Sequence, residues 1–143
     1  MVAANVSTSL AAADPTVAKV TIEFNTTGDG KDGDTQVLDR LVINGRDFAK
    51  LECCSSGNHG EDVWQHGSIN TKEMKITSPM KKSDLANAEI IFGMRPNGHD
   101  KWEFKPTLKV VYDDNTNDQW TFEQFYLESD NKYTERTFTI PKH

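Results

Sequence analysis

The most constraining feature of this chain is a hydrophobic period of two that returns in short bursts separated by glycine, asparagine and aspartate. In the first burst, Val17 to Asn25, the apolar residues Val20, Ile22 and Phe24 alternate with Lys19, Thr21 and Glu23. Successive side chains of an extended backbone point to opposite faces, so this pattern builds a strand with one buried face. It will not wind into an amphipathic helix, which needs apolar residues three and four apart.

The bursts recur along the chain. Gln36 to Ile43 is followed by Asn44-Gly45, a strong hairpin signal, and Arg46 to Cys53 returns as the partner strand. Ser55 to Gly67 is small and polar and reads as a long loop around Trp64. Asn70 to Ile76 resumes extended structure, with Met74 and Ile76 facing inward. Ser78 to Ala88 offers one helical turn capped by Ser83. Ala88 to Arg95 and Lys101 to Tyr112 are β-rich, and Pro106 within the second argues for an edge or a bulge. Asp113 to Asn117 is a turn. Trp120, Phe122 and Tyr126 then alternate in a seventh strand, and Tyr133 to Ile140 supplies the eighth. About eight short strands with almost no helix specify an all-β, antiparallel β-sandwich of jelly-roll type.

Length and composition bound the organisation. A chain of 143 residues holds one ordinary domain. Residues 17–143 form that sandwich in this reading, and residues 1–16 form a flexible tail that lacks the basic and apolar regions of a secretory signal. Both a secreted and a cytoplasmic location are compatible with the sequence. Three Trp, three Tyr and seven Phe supply a core, while a formal charge of −6 disfavours a nucleic-acid binder that relies on overall positive charge. No apolar stretch approaches the ~20 residues a transmembrane helix needs.

Two cysteines, Cys53 and Cys54, are adjacent. Adjacency is poor geometry for the usual cross-link, so the pair reads as two reduced thiols. A zinc cluster with His59 and His66 is the sharper reading, but zinc pairs ordinarily leave two to four residues between cysteines.

The densest polar signal is Thr27 to Thr35, where Asp29, Asp32 and Asp34 alternate with Gly28, Gly30 and Gly33. Carboxylates so close repel one another unless solvated or bound to a cation, and hard oxygen ligands on a flexible loop suit calcium. The bland alternative is a polar turn, and Lys31 weighs against a highly charged ion. The loop is not an EF-hand, because Lys31 falls where that loop needs an oxygen. A second loop, Pro96 to Phe104, could add Asp100 as a fourth ligand, and Asp113 to Asp118 is a third acidic stretch with turn chemistry.

Trp64, with His66 beside it, is the candidate ligand-binding pair of the long loop, where a flat ring can stack on a sugar or insert at a membrane interface. The same ring could instead plug one end of the sandwich. Catalytic signals are thin. His59, His66 and His99 sit among acids, but no nucleophile elbow, phosphate loop, dinucleotide fingerprint or zinc-protease motif appears, so the reading is non-enzymatic.

The order of these segments resembles the PLAT (lipoxygenase-homology, C2-like) β-sandwich. VTIEFNTTGDGKDGDTQVL is similar to its early strand and Gly/Asp-rich loop, GEDVWQHG to its middle turn, and EIIFGMRPNGHDKWEFKPTLKV to its late strand, loop and tryptophan. The likeness spans Val17 to Val111. It implies a non-enzymatic module with calcium held by Asp29, Asp32, Asp34 and Asp100, which docks on a lipid surface, a glycan or a protein. Two alternatives accompany this expectation: a metal-independent carbohydrate-binding lectin or toxin-like protein, and a hydrolase on a jelly-roll scaffold.

Overall fold

The structure, a computed structural model, describes residues 13–56 and 60–141. Among them are nine strands: β1 (Val17–Thr26), β2 (Gln36–Ile43), β3 (Arg46–Cys53), β4 (Ile69–Ile76), β5 (Ala88–Arg95), β6 (His99–Tyr112), β7 (Asn117–Thr121), β8 (Phe125–Asp130) and β9 (Thr134–Thr139). They pair antiparallel in the order β7-β6-β1-β4-β3-β2-β5-β9, with β8 also on β6. The β3–β4 link is short, Ala49 opposite Ile76 and Lys50 opposite Lys75. There the sheet curls, so that β7, β8, β6, β1 and β4 make one layer and β3, β2, β5 and β9 the other. The expected all-β antiparallel architecture is present.

Period-two alternation places the core between the layers. Val20, Ile22 and Phe24 of β1 are fully buried, and so are Leu41 of β2 and Ile90 and Phe92 of β5. The β2–β3 hairpin turns on Asn44 and Gly45, both in the left-handed region at φ 51° and 79°, as a two-residue turn of this kind requires. An aromatic seam fills the middle, with Trp102 stacked on Phe104 at 3.8 Å between ring centroids and Phe24 tilted against Trp102 at 5.4 Å.

Several expectations shift by local rules. Trp120, Phe122 and Tyr126 do not share one strand: the chain breaks after Thr121, and β7 and β8 pair with successive halves of the fourteen-residue β6. Phe125 and Leu127 face inward there, and Tyr126 is half-exposed. Pro106 is neither at an edge nor in a bulge. It sits in the centre of β6 opposite Phe24, at the seam where the β8 partner ends and the β7 partner begins. Its carbonyl accepts from Phe122 N–H at 3.0 Å. The missing proline N–H therefore falls on the connection between two strands, where no ladder bond is lost.

The helical turn is a 3-10 segment, Lys82–Asn87, and Ser83 lies inside it instead of capping it. Asp84 closes its start by accepting from Lys81 N–H at 2.8 Å. Ser83 N–H donates to Asp14 at 3.0 Å, Lys82 N–H donates to the Pro15 carbonyl at 2.9 Å, and Thr16 bridges Lys81. Asp14, Pro15 and Thr16, expected in the tail, are thus tied to this segment. The rest of the expected tail, residues 1–12, lies outside the described residues.

Candidate functional site

The Gly/Asp loop after β1 folds around a lysine. Lys31 and Trp64 exchange backbone hydrogen bonds of 2.9 and 3.0 Å, which tie this loop to the long loop before β4. Gly30 permits that approach, since a Cβ there would meet the Trp64 carbonyl at 2.7 Å. The Lys31 side chain turns inward, 1 % exposed, and its Nζ donates to the carbonyls of Asp32 (2.9 Å), Thr35 (2.9 Å) and Cys54 (2.8 Å). An ammonium has three N–H bonds, and all three are used. Nζ also lies 4.9 Å from the centroid of the Trp64 ring, in reach of a cation–π attraction. Burial pulls the Lys31 pKa down to about 8, against the opposing pull of Asp62, Asp100, Asp32 and Asp34.

The predicted calcium ligands divide among other partners. Asp100 is buried and accepts from the Asp32 N–H at 3.0 Å and the Thr35 hydroxyl at 2.6 Å. Asp29 pairs with Lys101 at 3.5 Å, and Asp34 accepts from Asn97 at 3.3 Å. Loss of solvent, then the nearby Asp100 and Asp34, raise the Asp32 pKa. Calcium takes six to eight oxygens. Here the inward carbonyls of the loop are taken by a covalently attached cation, and among the described residues no three His, Cys, Asp or Glu side chains gather as a metal group.

Trp64 is 1 % exposed, packed between Phe24 at 5.3 Å and Trp102 at 5.4 Å, with its indole N–H on the Glu61 carbonyl at 3.1 Å. It plugs the end of the sandwich and offers no face to a ligand. His66 is exposed, with a ring nitrogen 3.3 Å from the Gly28 carbonyl. Trp64 and His66 therefore do not form a binding pair. His99 is also at the surface, hydrogen-bonded at 2.9 Å to Glu128, which raises its pKa. His59 lies outside the described residues.

Cys53 and Cys54 are disulfide-bonded to each other, contrary to the expected pair of thiols. Cys54 adopts the left-handed region at φ 76°, and its carbonyl is the third acceptor of Lys31. With both sulfurs in this bond, the zinc reading has no thiolates to use.

A different place on the molecule carries an unsolved polar group. Val37, Asp39 and Leu41 share the inward side of β2, and Asp39 is 1 % exposed. The β2–β5 ladder pairs Val37 with Met94 and Arg40 with Ile91 but skips Leu38 and Asp39. Into that gap Asp39 inserts its carboxyl, and Oδ1 accepts from Gly93 N–H at 2.9 Å. Oδ2 is buried with no hydrogen-bond partner. Burial pushes the Asp39 pKa well above the usual carboxylate range, only partly offset by the Gly93 bond. Gly93 leaves room for Tyr133 to lie across the strand, since a Cβ there would stand 2.6 Å from the Tyr133 hydroxyl and 2.6 Å from the Leu38 carbonyl.

The result is an open groove of about 240 Å³ with Leu38, Leu51 and Asp39 among its lining, Tyr133 as one wall, and Arg40 and Arg95 at the rim. The sequence reading passed over it. The available signal was a charged residue at an inward position in QVLDRLVI, the strand whose alternation is least clean. No family model, curated protein or solved structure matches the chain.

Proposed function

We propose that this protein is a metal-independent carbohydrate-recognition module whose ligand lies in the groove over β2, β3 and β5. The observation that carries this reading is a small groove that brings Leu38 and the Tyr133 ring together with Arg40, Glu52 and Arg95. Sugars pair hydroxyl edges with apolar C–H faces, and the groove pairs Arg40, Glu52 and Arg95 with Leu38 and the Tyr133 ring. Its volume of about 240 Å³ is that of roughly eight waters in the liquid, the scale of one sugar ring.

Recognition suits this geometry better than hydrolysis. Glycoside cleavage needs two carboxyl groups that flank the bond and a proton donor that reaches the leaving oxygen. Asp39 is 1 % exposed and already engaged by Gly93 through one oxygen. Screening the whole chain on a glycan array, with and without chelator, tests the reading. Binding that survives chelator and is lost in Tyr133→Ala is expected. Binding that requires calcium, or that is unchanged in Tyr133→Ala, would remove the groove from the account.

A further inference from the structure

We propose that the ligand is an anionic sugar chain laid across β5, β2, β3 and β4, with acidic groups met by Arg95 at one end and Lys75 at the other. This rests on the carbohydrate reading of the groove and adds its charge and its length.

The length comes from a second depression. It is about 420 Å³, is lined by Lys50, Glu52, Lys75 and Thr77, and shares Lys50 and Glu52 with the first. The two form one track from β5 to β4. Neighbouring strands stand 4.7–4.9 Å apart, so three steps cover ~14 Å, more than a single ring occupies.

The charge comes from an imbalance along that track. The chain as a whole carries −6, yet Arg40, Lys50, Lys75 and Arg95 gather here against Glu52, Asp47 and Glu135. Burial favours the uncharged form of Asp39, so it does not cancel them. Arg40 is balanced by Asp47 at 3.1 Å and Glu135 at 3.9 Å, and Lys50 by Asp47 at 3.6 Å. Arg95 has no carboxylate partner among the described residues, and its guanidinium instead rests 5.9 Å from the centroid of the Tyr133 ring. Lys75 likewise has none, and it stands directly across from Lys50 in the β3–β4 register. Like charges placed opposite each other on a sheet destabilise it, and nothing in the fold requires this pair. An anion between the strands would turn that repulsion into binding. An arginine beside a tyrosine ring keeps its fork of N–H donors for a planar carboxylate. Glu52, between the two ends, disfavours a chain with an acidic group on every position and favours one whose charges are spaced.

The shared chemistry is an acidic sugar, and its charge could be a carboxylate or a sulfate. Calorimetric titration of the whole chain at low salt with three probes separates these: hyaluronan oligosaccharides with spaced carboxylates, dextran sulfate with dense sulfates, and neutral dextran. Hyaluronan is expected to bind at least about tenfold more tightly than dextran. Arg95→Gln should weaken it about tenfold and Lys75→Gln about threefold, with Lys109→Gln on the other layer as an unchanged control. Dextran sulfate that exceeds hyaluronan, with the same dependence on Arg95 and Lys75, keeps the anionic assignment and names sulfate as the charge. Equal binding of dextran and hyaluronan, or indifference to both Arg95→Gln and Lys75→Gln, overturns the anionic assignment and leaves the carbohydrate reading standing. No binding of any sugar, with Tyr133 and Leu38 resonances unmoved, removes the carbohydrate reading itself.

Discussion

Lys31 and Asp39 each take one ionisable group out of water, and they meet the cost in opposite ways. Lys31 directs three N–H bonds at three carbonyls and adds an aromatic face and four acidic neighbours. Asp39 has one hydrogen bond and one orphaned oxygen. A buried group with every bond made is a structural device, because nothing from outside could improve it. A buried group with a bond unmade leaves its cost standing inside the fold. The same rule that draws attention to the acidic loop in the sequence thus moves it away in the structure, to a strand eight residues further on.

The largest effect should come from breaking the satisfied site. Lys31→Met leaves the Asp32, Thr35 and Cys54 carbonyls without their donor, and each buried acceptor so abandoned costs about 1–3 kcal/mol, less what water recovers. A loss of about 3 kcal/mol in urea unfolding is expected, with glycan binding by the folded protein unchanged. A loss under about 1 kcal/mol would mean that the ammonium is not the element that holds the loops together.

How much of this was legible follows from the same contrast. β-rich runs and the turn residues that bound them are local signals, so Gln36–Ile43, Arg46–Cys53 and Ala88–Arg95 could be placed from sequence to the residue. The partition of β6 between β7 and β8 could not, since the break at Phe122 to Gln124 depends on which strand lies alongside. Asp29, Asp32 and Asp34 were legible as a cluster, but the inward turn of Lys31 among them was not, because it is decided by Trp64 and Cys54 from distant segments. Asp39 was readable only as an oddity in a strand. Its orphaned oxygen exists because the β2–β5 ladder opens opposite Gly93, and pairing across fifty-four residues leaves no local mark.

A middle-sized effect should come from closing the open site. In Gly93→Ala the new methyl would stand 2.6 Å from the Leu38 carbonyl, a backbone atom that cannot swing aside, and 2.6 Å from the Tyr133 hydroxyl. Overpacking of this kind costs about 2 kcal/mol, and it displaces Tyr133 from the groove wall. Lower stability together with lost sugar binding is expected from denaturant and binding titrations. Gly60→Ala, where a Cβ meets nothing within 4 Å, should stay within about 0.5 kcal/mol of the parent. Full binding in a destabilised Gly93→Ala protein would separate Tyr133 from the ligand.

The smallest effect is one of pH, and it sharpens the comparison because the two groups tilt stability in opposite directions. Asp39 has a raised pKa in the folded state, so the fold keeps a proton that the unfolded chain releases near pH ~4. Its contribution is complete below that pH and fades as pH rises towards the folded value. Lys31 has a lowered pKa, so between about 8 and 10.5 the unfolded chain keeps the proton that the fold gives up, and stability gains with rising pH. Asp39→Asn keeps an oxygen for Gly93 N–H and abolishes the first slope. Its stability relative to the parent should therefore climb with pH above ~4 and then level, whatever constant offset the amide introduces. Unfolding free energies for both proteins across that range provide the check. Parallel curves would show that Asp39 keeps no extra proton in the fold, and the opposition between its slope and that of Lys31 would be lost.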